Sequence, residues 1–379
     1  MKSLRGAMGY LTVTRLMVNT AHRFVFPFLP AISRGLGISL EQGGLLLSAR
    51  SVAFVATPAA VATAGRGERR LRLVLWALGM LSVGALVTAA TGVYAGAFAG
   101  FVLLGLGKPS FDAAAQAYIA DRTPYERRAR YLAVIELTWA GGLLVGAPAA
   151  GWLIDSYGWE APFWVIGILL ALTMAASPLF LDRDAPHAPG TSPPLTMSRS
   201  RIGLLAVSFL FSFAAETTFV VFGAWLEDSF ALSLAALGLA STVVGGAEAA
   251  GEGSVLLFAD RIGKRRMVAI GLGGSAVGYA LLAPASSSLG LGLAMLAATF
   301  VAFEITIVST VPMASEAAPG ARTRYLALLM VVVGIGRAVG DVVGPAVFTW
   351  GGMPPVTLIS SATVVAALGA LFWLVDSNA

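Results

Sequence analysis

The sequence predicts an all-α membrane protein, with 12 transmembrane helices in two pseudo-symmetric six-helix bundles around a central cavity. Three observations predict it: composition, the side on which basic residues fall, and an internal repeat. Hydrophobic residues fill 57% of the 379 positions and charged residues only 12%, a balance foreign to soluble globular domains. The apolar residues form continuous runs, whereas a membrane barrel alternates apolar and polar residues over about ten positions.

A hydrocarbon core of roughly 30 Å is crossed by about 20 residues at about 1.5 Å per helical residue. The first run, 7–31, carries Arg15, Asn19, His22 and Arg23 as one polar stripe at helical spacing. The second, 42–64, holds Arg50, and the third, 73–91, holds no charge. The fourth, 93–118, places Lys108, Asp112 and Gln116 on one face, with Pro109 expected to kink it and free a carbonyl near Gly105. The fifth, 131–154, carries Glu136, and the sixth, 161–181, is uncharged. A polar stretch at 182–202, with Pro186, Pro189, Pro193 and Pro194, reads as the linker between an N-terminal bundle, 1–181, and a C-terminal bundle, 203–379. The seventh run, 203–226, repeats the stripe idea with Ser208, Ser212 and Glu216. The eighth, 232–258, sets Glu248 and Glu252 among Gly245, Gly246, Gly251 and Gly253, read as a close-packing surface or a helix that must flex. The ninth, 267–285, and the twelfth, 354–375, are uncharged; the tenth, 289–313, holds Glu304 and the eleventh, 325–349, holds Arg337 and Asp341.

Basic residues fix the expected orientation, because loops rich in Lys and Arg stay cytoplasmic. Lys2, Arg5, Arg66, Arg69, Arg70, Arg72, Arg122, Arg127, Arg128, Arg130, Arg183, Arg199, Arg201, Arg261, Lys264, Arg265, Arg266, Arg322 and Arg324 all fall at the ends or in even-numbered connections. Only Arg34 lies in a loop of the opposite side. Both termini are therefore expected inside a bacterial cytoplasmic membrane, and the net charge of +5 reports topology and attraction to anionic lipid rather than nucleic-acid binding. The first run lacks a small-residue cleavage site and reads as a spanning helix, not a signal peptide. With no Cys, disulfides and thiol chemistry are excluded.

The repeat has an offset of 194. Ala129-Arg130-Tyr131-Leu132-Ala133 recurs as Thr323-Arg324-Tyr325-Leu326-Ala327, and Arg128, Gly142 and Gly146 match Arg322, Gly336 and Gly340. Such duplication is typical of secondary transporters.

These features resemble the major facilitator superfamily over essentially the whole chain. The most specific match is Asp260-Arg261-Ile262-Gly263-Lys264-Arg265-Arg266 after the eighth run, similar to that family's loop signature. The resemblance implies gating roles for Asp260 and Arg261, with Arg337 and Asp341 read alongside them. The equivalent first-half loop, Ala64-Gly65-Arg66-Gly67-Glu68-Arg69-Arg70, lacks the aspartate. Gly142, Gly146, Pro148 and Gly151 resemble a motif associated with exporters, with Ala147 interrupting its usual Gly-Pro pair. Leu103-Leu104-Gly105-Leu106-Gly107 fits a fourth-helix pattern whose arginine is replaced here by Phe101.

Ionisable residues inside the runs carry the functional expectation. Each charge near the bilayer centre costs about 2.5–3.5 kcal/mol if it faces lipid, so these groups must face water or one another. None falls on the third, sixth, ninth or twelfth run, which separates wet helices from dry ones. Lys108 with Asp112, and Arg337 with Asp341, are i,i+4 opposite charges expected to neutralise each other. Arg15 and Glu136 lie toward helix ends, where snorkelling or loop pairing is available. The first half otherwise contributes Arg23 and Arg50, and the second Glu216, Glu248, Glu252 and Glu304. Burial and like charge disfavour two carboxylates one turn apart at Glu248 and Glu252, so one of them is expected to exchange protons.

The expected activity is proton-coupled secondary transport of a small organic solute by alternating access, with export favoured. Asn19, His22, Arg23, Arg50, Lys108, Glu216 and Glu304 are the expected substrate contacts, and Glu216, Glu248, Glu252 and Asp112 the expected proton carriers. The alternatives are proton-linked uptake of an organic anion held by Arg23 and Arg50, a static lock in which the acids pair with those arginines, or a lipid translocator or membrane sensor. The partners are solute, protons and bilayer, with the chain acting as a monomer. No enzyme is expected: Gly271-Leu272-Gly273-Gly274-Ser275-Ala276 lacks a preceding strand, and two His without Cys suggest no metal and no cofactor.

Overall fold

The computed structural model describes residues 3–64, 70–123, 131, 133–182 and 195–376. Lys2, the Gly65–Arg69 loop, Arg127 to Arg130 and Leu132 of the repeat, and Arg183 with the four linker prolines lie outside the described residues. Among the described residues the secondary structure is helical throughout.

The first expected crossing is two helices, α1 (Leu4–Arg23) and α2 (Val25–Leu36), which meet at Phe24. Pro27 causes the break, since it has no N–H for the carbonyl of Arg23. α3 (Leu40–Ala64), α4 (Arg70–Thr91) and α5 (Tyr94–Arg122) follow. Pro109 sits inside α5 without ending it. α6 (Ala133–Tyr157) contains a π-helical turn at Gly142–Gly146, which ends two residues before Pro148, whose ring clashes with the carbonyl four residues back and widens the turn. α7 (Ala161–Phe180) completes the first half.

The second half opens with α8 (Arg199–Phe219) and α9 (Phe222–Phe230), a second broken crossing. Its break falls in the β-branched stretch Thr217-Thr218-Phe219-Val220-Val221, where stiff side chains crowd the helix. α10 (Leu234–Ile262), α11 (Lys264–Leu282), α12 (Leu289–Ala317), α13 (Arg322–Gly351) and α14 (Met353–Leu374) complete the chain. Among the described residues, eight spans are long and apolar enough to cross a membrane by length and composition.

The chain divides into two compact units, Met1–Gly190 with Leu234–Ser241, and Thr191–Ser233 with Thr242–Ala379. Their internal packing repeats. In the first, α4 lies along α5 and α7, while α1 lies against α6 and α7; in the second, α11 lies along α12 and α14, while α8 lies against α13 and α14. The glycines of the sequence repeat keep their partners: a Cβ on Gly142 meets the Asn19 backbone at 3.1 Å, and one on Gly336 meets the Phe213 nitrogen at 3.2 Å, 194 positions on from Asn19. Ser82 Oγ donates to the Gly167 carbonyl at 2.8 Å; at the same offset the roles swap, and Ser361 Oγ donates to the Ala276 carbonyl at 2.9 Å.

α7 and α14 turn apolar side chains outward. Trp164, Ile168, Leu172 and Leu179 are exposed on one, and Leu358, Val365 and Phe372 on the other. Contiguous apolar surface of this kind, on helices without charge, is the face a bilayer covers.

Candidate functional site

The ionisable residues inside the crossings do not face outward. Arg15, Arg23, Arg50, Lys108, Glu216, Glu248, Glu304 and Asp341 are buried, and Asp112, Glu136, Glu252 and Arg337 are half-buried. Each unit gathers its own set.

In the first unit four charges interlock. Lys108 Nζ lies 2.5 Å from Asp112 Oδ2, the pair that i,i+4 spacing suggests. Asp112 also accepts from Arg15 Nε at 3.0 Å, and Arg15 Nη2 donates to Glu136 Oε2 at 3.0 Å. Gln116 Nε2 completes the cluster by donating to Glu136 Oε1 at 3.1 Å. Arg15 therefore takes neither of the alternatives its position left open, snorkelling or pairing with a loop charge. The residue is 4% exposed and its guanidinium ties α1 to α5 and α6, because two carboxylates within reach offset its desolvation better than a helix end does.

One turn along α1, Asn19 Nδ2 donates to Thr138 Oγ1 at 3.0 Å, and that hydroxyl in turn donates to the Ile135 carbonyl at 2.6 Å. Arg23 Nη1 donates to the Trp139 carbonyl at 3.1 Å, and its guanidinium stacks 4.3 Å from the Trp139 ring centre. Lys108 Nζ lies 5.2 Å from the same ring, and the His22 ring 6.1 Å away. Arg50 Nη1 donates to the His22 carbonyl at 2.7 Å, with its guanidinium 4.9 Å over Phe26. Both guanidiniums thus meet a carbonyl and a ring.

In the second unit, Arg337 Nε lies 3.6 Å from Glu216 Oε2. Gly340 permits this contact: a Cβ there would sit 2.8 Å from Glu216 Cβ. Helical spacing within α13 suggests Asp341 for Arg337 and gives no hint of the partner on α8. Asp341 itself is 0% exposed. Gly251 plays a matching part on α10, where a Cβ would meet Glu304 Cβ at 2.6 Å, so the Glu304 stem lies against the turn that carries Glu248 and Glu252. Gly246 and Gly253 have open space where a Cβ would be. The close-packing reading of α10 thus holds at Gly251 and fails at those two. Ser212 Oγ and Ser309 Oγ, both buried, have no hydrogen-bond partner among the described residues.

The loop after α10 carries the residues to which the resemblance gives gating roles. Asp260 and Arg261 are exposed at the end of α10, and neither makes an ion pair among the described residues. The next residues make the contacts: Lys264 pairs with Glu316, and Arg265 Nη2 donates to the carbonyls of Leu371 and Val375 at 3.2 Å each. Arg70, 194 positions before Lys264, likewise pairs with Asp121 and donates to the Ala117 carbonyl at 2.7 Å. These basic residues cap the carbonyl ends of neighbouring helices, where cations are favoured.

Trp139 escaped the sequence reading. It stands three residues after Glu136 on the same helix face, so the spacing that linked the charges would have linked it too.

The Major Facilitator Superfamily profile matches residues 11–201 and 204–379. A tetracycline resistance protein, class C, of Escherichia coli is 28% identical over 278 residues, covering 68% of this chain and 69% of that protein. An uncharacterized MFS-type transporter of Bacillus subtilis, YwfA, is 24% identical over 370 residues, covering 94% and 88%. Among solved structures, a bacterial homolog of the human lysosomal transporter Spinster, inward-facing and occupied, superposes with a TM-score of 0.78 at 15% identity over 96% of this chain and 95% of that one. Profile, relatives and fold agree with the 12-helix reading: this chain belongs to the Major Facilitator Superfamily and is a multi-pass membrane transporter, not an enzyme.

Proposed function

We propose that the protein is a proton-coupled secondary transporter of a bacterial cytoplasmic membrane, with both termini inside, which exports a small organic solute by alternating access. The observation that carries this is the burial of carboxyl groups inside the crossings of the second unit, with Glu216, Glu248 and Glu304 no more than 8% exposed. A charge buried in this way must be compensated by a partner or by water, so ionisable groups inside crossings mark a pathway rather than a packing surface. Glu216, Glu248, Glu252 and Asp112 are the proton carriers in this reading. Asn19, His22, Arg23, Arg50, Lys108, Glu216 and Glu304 are the solute contacts, although Asn19, Arg23, Arg50, Lys108 and Glu216 also have the structural partners described above. Export is supported by the relatives named as tetracycline resistance proteins and by the π-helical turn within the Gly142 to Gly151 motif, a local irregularity common at functional positions.

The test is transport in proteoliposomes under an imposed pH gradient. Glu216→Gln and Glu252→Gln should retain solute binding and lose coupled proton movement. Unchanged pH-driven transport in both variants would defeat the coupling assignment. Solute movement independent of the gradient, or lipid movement alone, would favour a facilitator or a lipid translocator. Uptake of an organic anion is the second reading, supported by the oriented guanidiniums of Arg23 and Arg50; Arg23→Gln should then abolish transport of an anion and spare a cation.

A further inference from the structure

The C-terminal end of α14 gathers arginines from two other helices of its unit. Arg199 Nη2, at the start of α8, donates to the Trp373 carbonyl at 2.9 Å, and Arg265 Nη2, at the start of α11, donates to the carbonyls of Leu371 and Val375. The Arg265 guanidinium also lies 5.4 Å from the Phe372 ring centre, within the roughly 6 Å over which a ring attracts a cation. Arg266, next in sequence, is exposed. The partners of Arg199 and Arg265 are uncharged, and among the described residues none of the three arginines makes an ion pair. Lys264 beside them is already paired with Glu316. Asp376, exposed, is the acid at this helix end, and its own N–H donates to Ser200 Oγ at 3.2 Å. Three guanidiniums against one carboxylate leave a surplus of positive charge. Arg265 Nε, an inaccessible donor atom, has no hydrogen-bond partner among the described residues, and a donor in that position calls for an acceptor.

Apolar surface adjoins the charge. Trp373 is 80% exposed and Phe372 54%, at the end of an uncharged helix whose outward face carries Leu358 and Val365. An exposed indole level with guanidiniums is the pairing that suits a membrane–water boundary, where one side chain meets acyl chain and the other headgroup. The duplication shows that this arrangement exceeds what orientation requires. At the offset of 194, Arg199 and Arg266 match Arg5 and Arg72, so both units keep those basic residues. Arg265, Phe372 and Trp373 match Leu71, Pro178 and Leu179. The capping guanidinium and its aromatic pair therefore belong to the second unit alone.

We propose that the ends of α8, α11 and α14 form a binding site for an anionic phospholipid, with its phosphate on Arg199, Arg265 and Arg266 and its glycerol and upper acyl chain against Trp373 and Phe372. Basic pockets between the ends of transmembrane helices recognise anionic headgroups in this way. A lipid, rather than free phosphate, is the occupant because the exposed rings would have no partner in the ion. The site lies apart from the buried ionisable residues of the crossings and depends on neither proton coupling nor the direction of transport. Its occupant would tie the start of α11, which follows the loop carrying Asp260 and Arg261, to both neighbouring helices.

The test uses the purified full-length protein in neutral detergent, titrated with phosphatidylglycerol or phosphatidylcholine that carries brominated acyl chains. The readout is the part of the tryptophan fluorescence that Trp373→Phe removes, which reports this helix end only. Phosphatidylglycerol should quench it at a mole fraction at least about fivefold lower than phosphatidylcholine, the factor that one basic side chain near a lipid surface supplies. Arg199→Gln with Arg266→Gln, both at exposed positions, should abolish that preference, and Arg199→Lys with Arg266→Lys should keep most of it. Arg5→Gln with Arg72→Gln, the matching pair of the first unit, should leave it unchanged. Equal quenching by the two lipids overturns the proposal, as does a preference that survives the paired Gln variant of the second unit or is lost in that of the first. Displacement of the brominated phosphatidylglycerol by inorganic phosphate overturns the assignment to a lipid.

Discussion

Arg50 donates from Nη1 to the carbonyl of His22 at 2.7 Å, at the point where the first crossing breaks. A residue expected to hold substrate also caps the end of α1. A hydrogen bond from a charged donor contributes about 1.5–3 kcal/mol, and here it comes with ring stacking on Phe26. Arg50→Gln is therefore expected to lower the melting temperature in detergent, and Arg50→Lys to recover little, since an ammonium cannot bond the carbonyl and stack its plane together. Wild-type stability in Arg50→Lys would show that charge alone suffices.

The cluster of Arg15, Lys108, Asp112 and Glu136 makes a second prediction. Removing one partner of a buried pair leaves a charge uncompensated, at a cost of about 3–5 kcal/mol, and less here because Asp112 is 19% exposed. Arg15→Gln and Asp112→Asn should each destabilise, and together should cost less than their sum by about 1 kcal/mol or more. Additive losses in a double-mutant cycle would mean the two side chains do not act as a pair.

Glycines separate into two classes that calorimetry can distinguish. A Cβ on Gly105 would sit 2.2 Å from the Arg50 carbonyl oxygen, and one on Gly344 would sit 2.4 Å from that of Thr217. Backbone cannot yield as a side chain can, so Ala at either position should cost about 1–3 kcal/mol. At Gly246 and Gly253, where nothing lies within 4 Å, Ala should be neutral or stabilise by up to about 1 kcal/mol through helix propensity.

Orientation can be read chemically because the chain has no cysteine. Single cysteines at the exposed positions Arg266 and Ser287 should label with an impermeant maleimide from opposite sides of the membrane, Arg266→Cys only after the cells are opened. Labelling of both from outside would contradict the proposed topology.

The crossings were legible because the bilayer imposes their length, and the duplication because residues such as Gly142 and Gly336 serve the same close approach in each half. The breaks at Phe24 and Val220 were not, since a continuous apolar run gives no sign of where a helix stops. Pro27 gave a cue for only one of them. Within a helix, spacing found Lys108 with Asp112. It missed Arg15 with Asp112 and Arg337 with Glu216, because pairing between helices depends on which faces meet. The loop motif pointed to Asp260 and Arg261, while the contacts formed at Lys264 and Arg265, whose long side chains reach the carbonyl ends of neighbouring helices.

The exchange at Ser82 and Ser361 has a consequence for how such a molecule ages. The tie between the third and sixth crossings in one half, and between the ninth and twelfth in the other, survives although each copy stations its hydroxyl on the opposite rod. What the duplication preserved is a fastening between two outer staves, indifferent to which stave supplies the pin, so residue-by-residue comparison of the halves scores a mismatch where the mechanical part is the same.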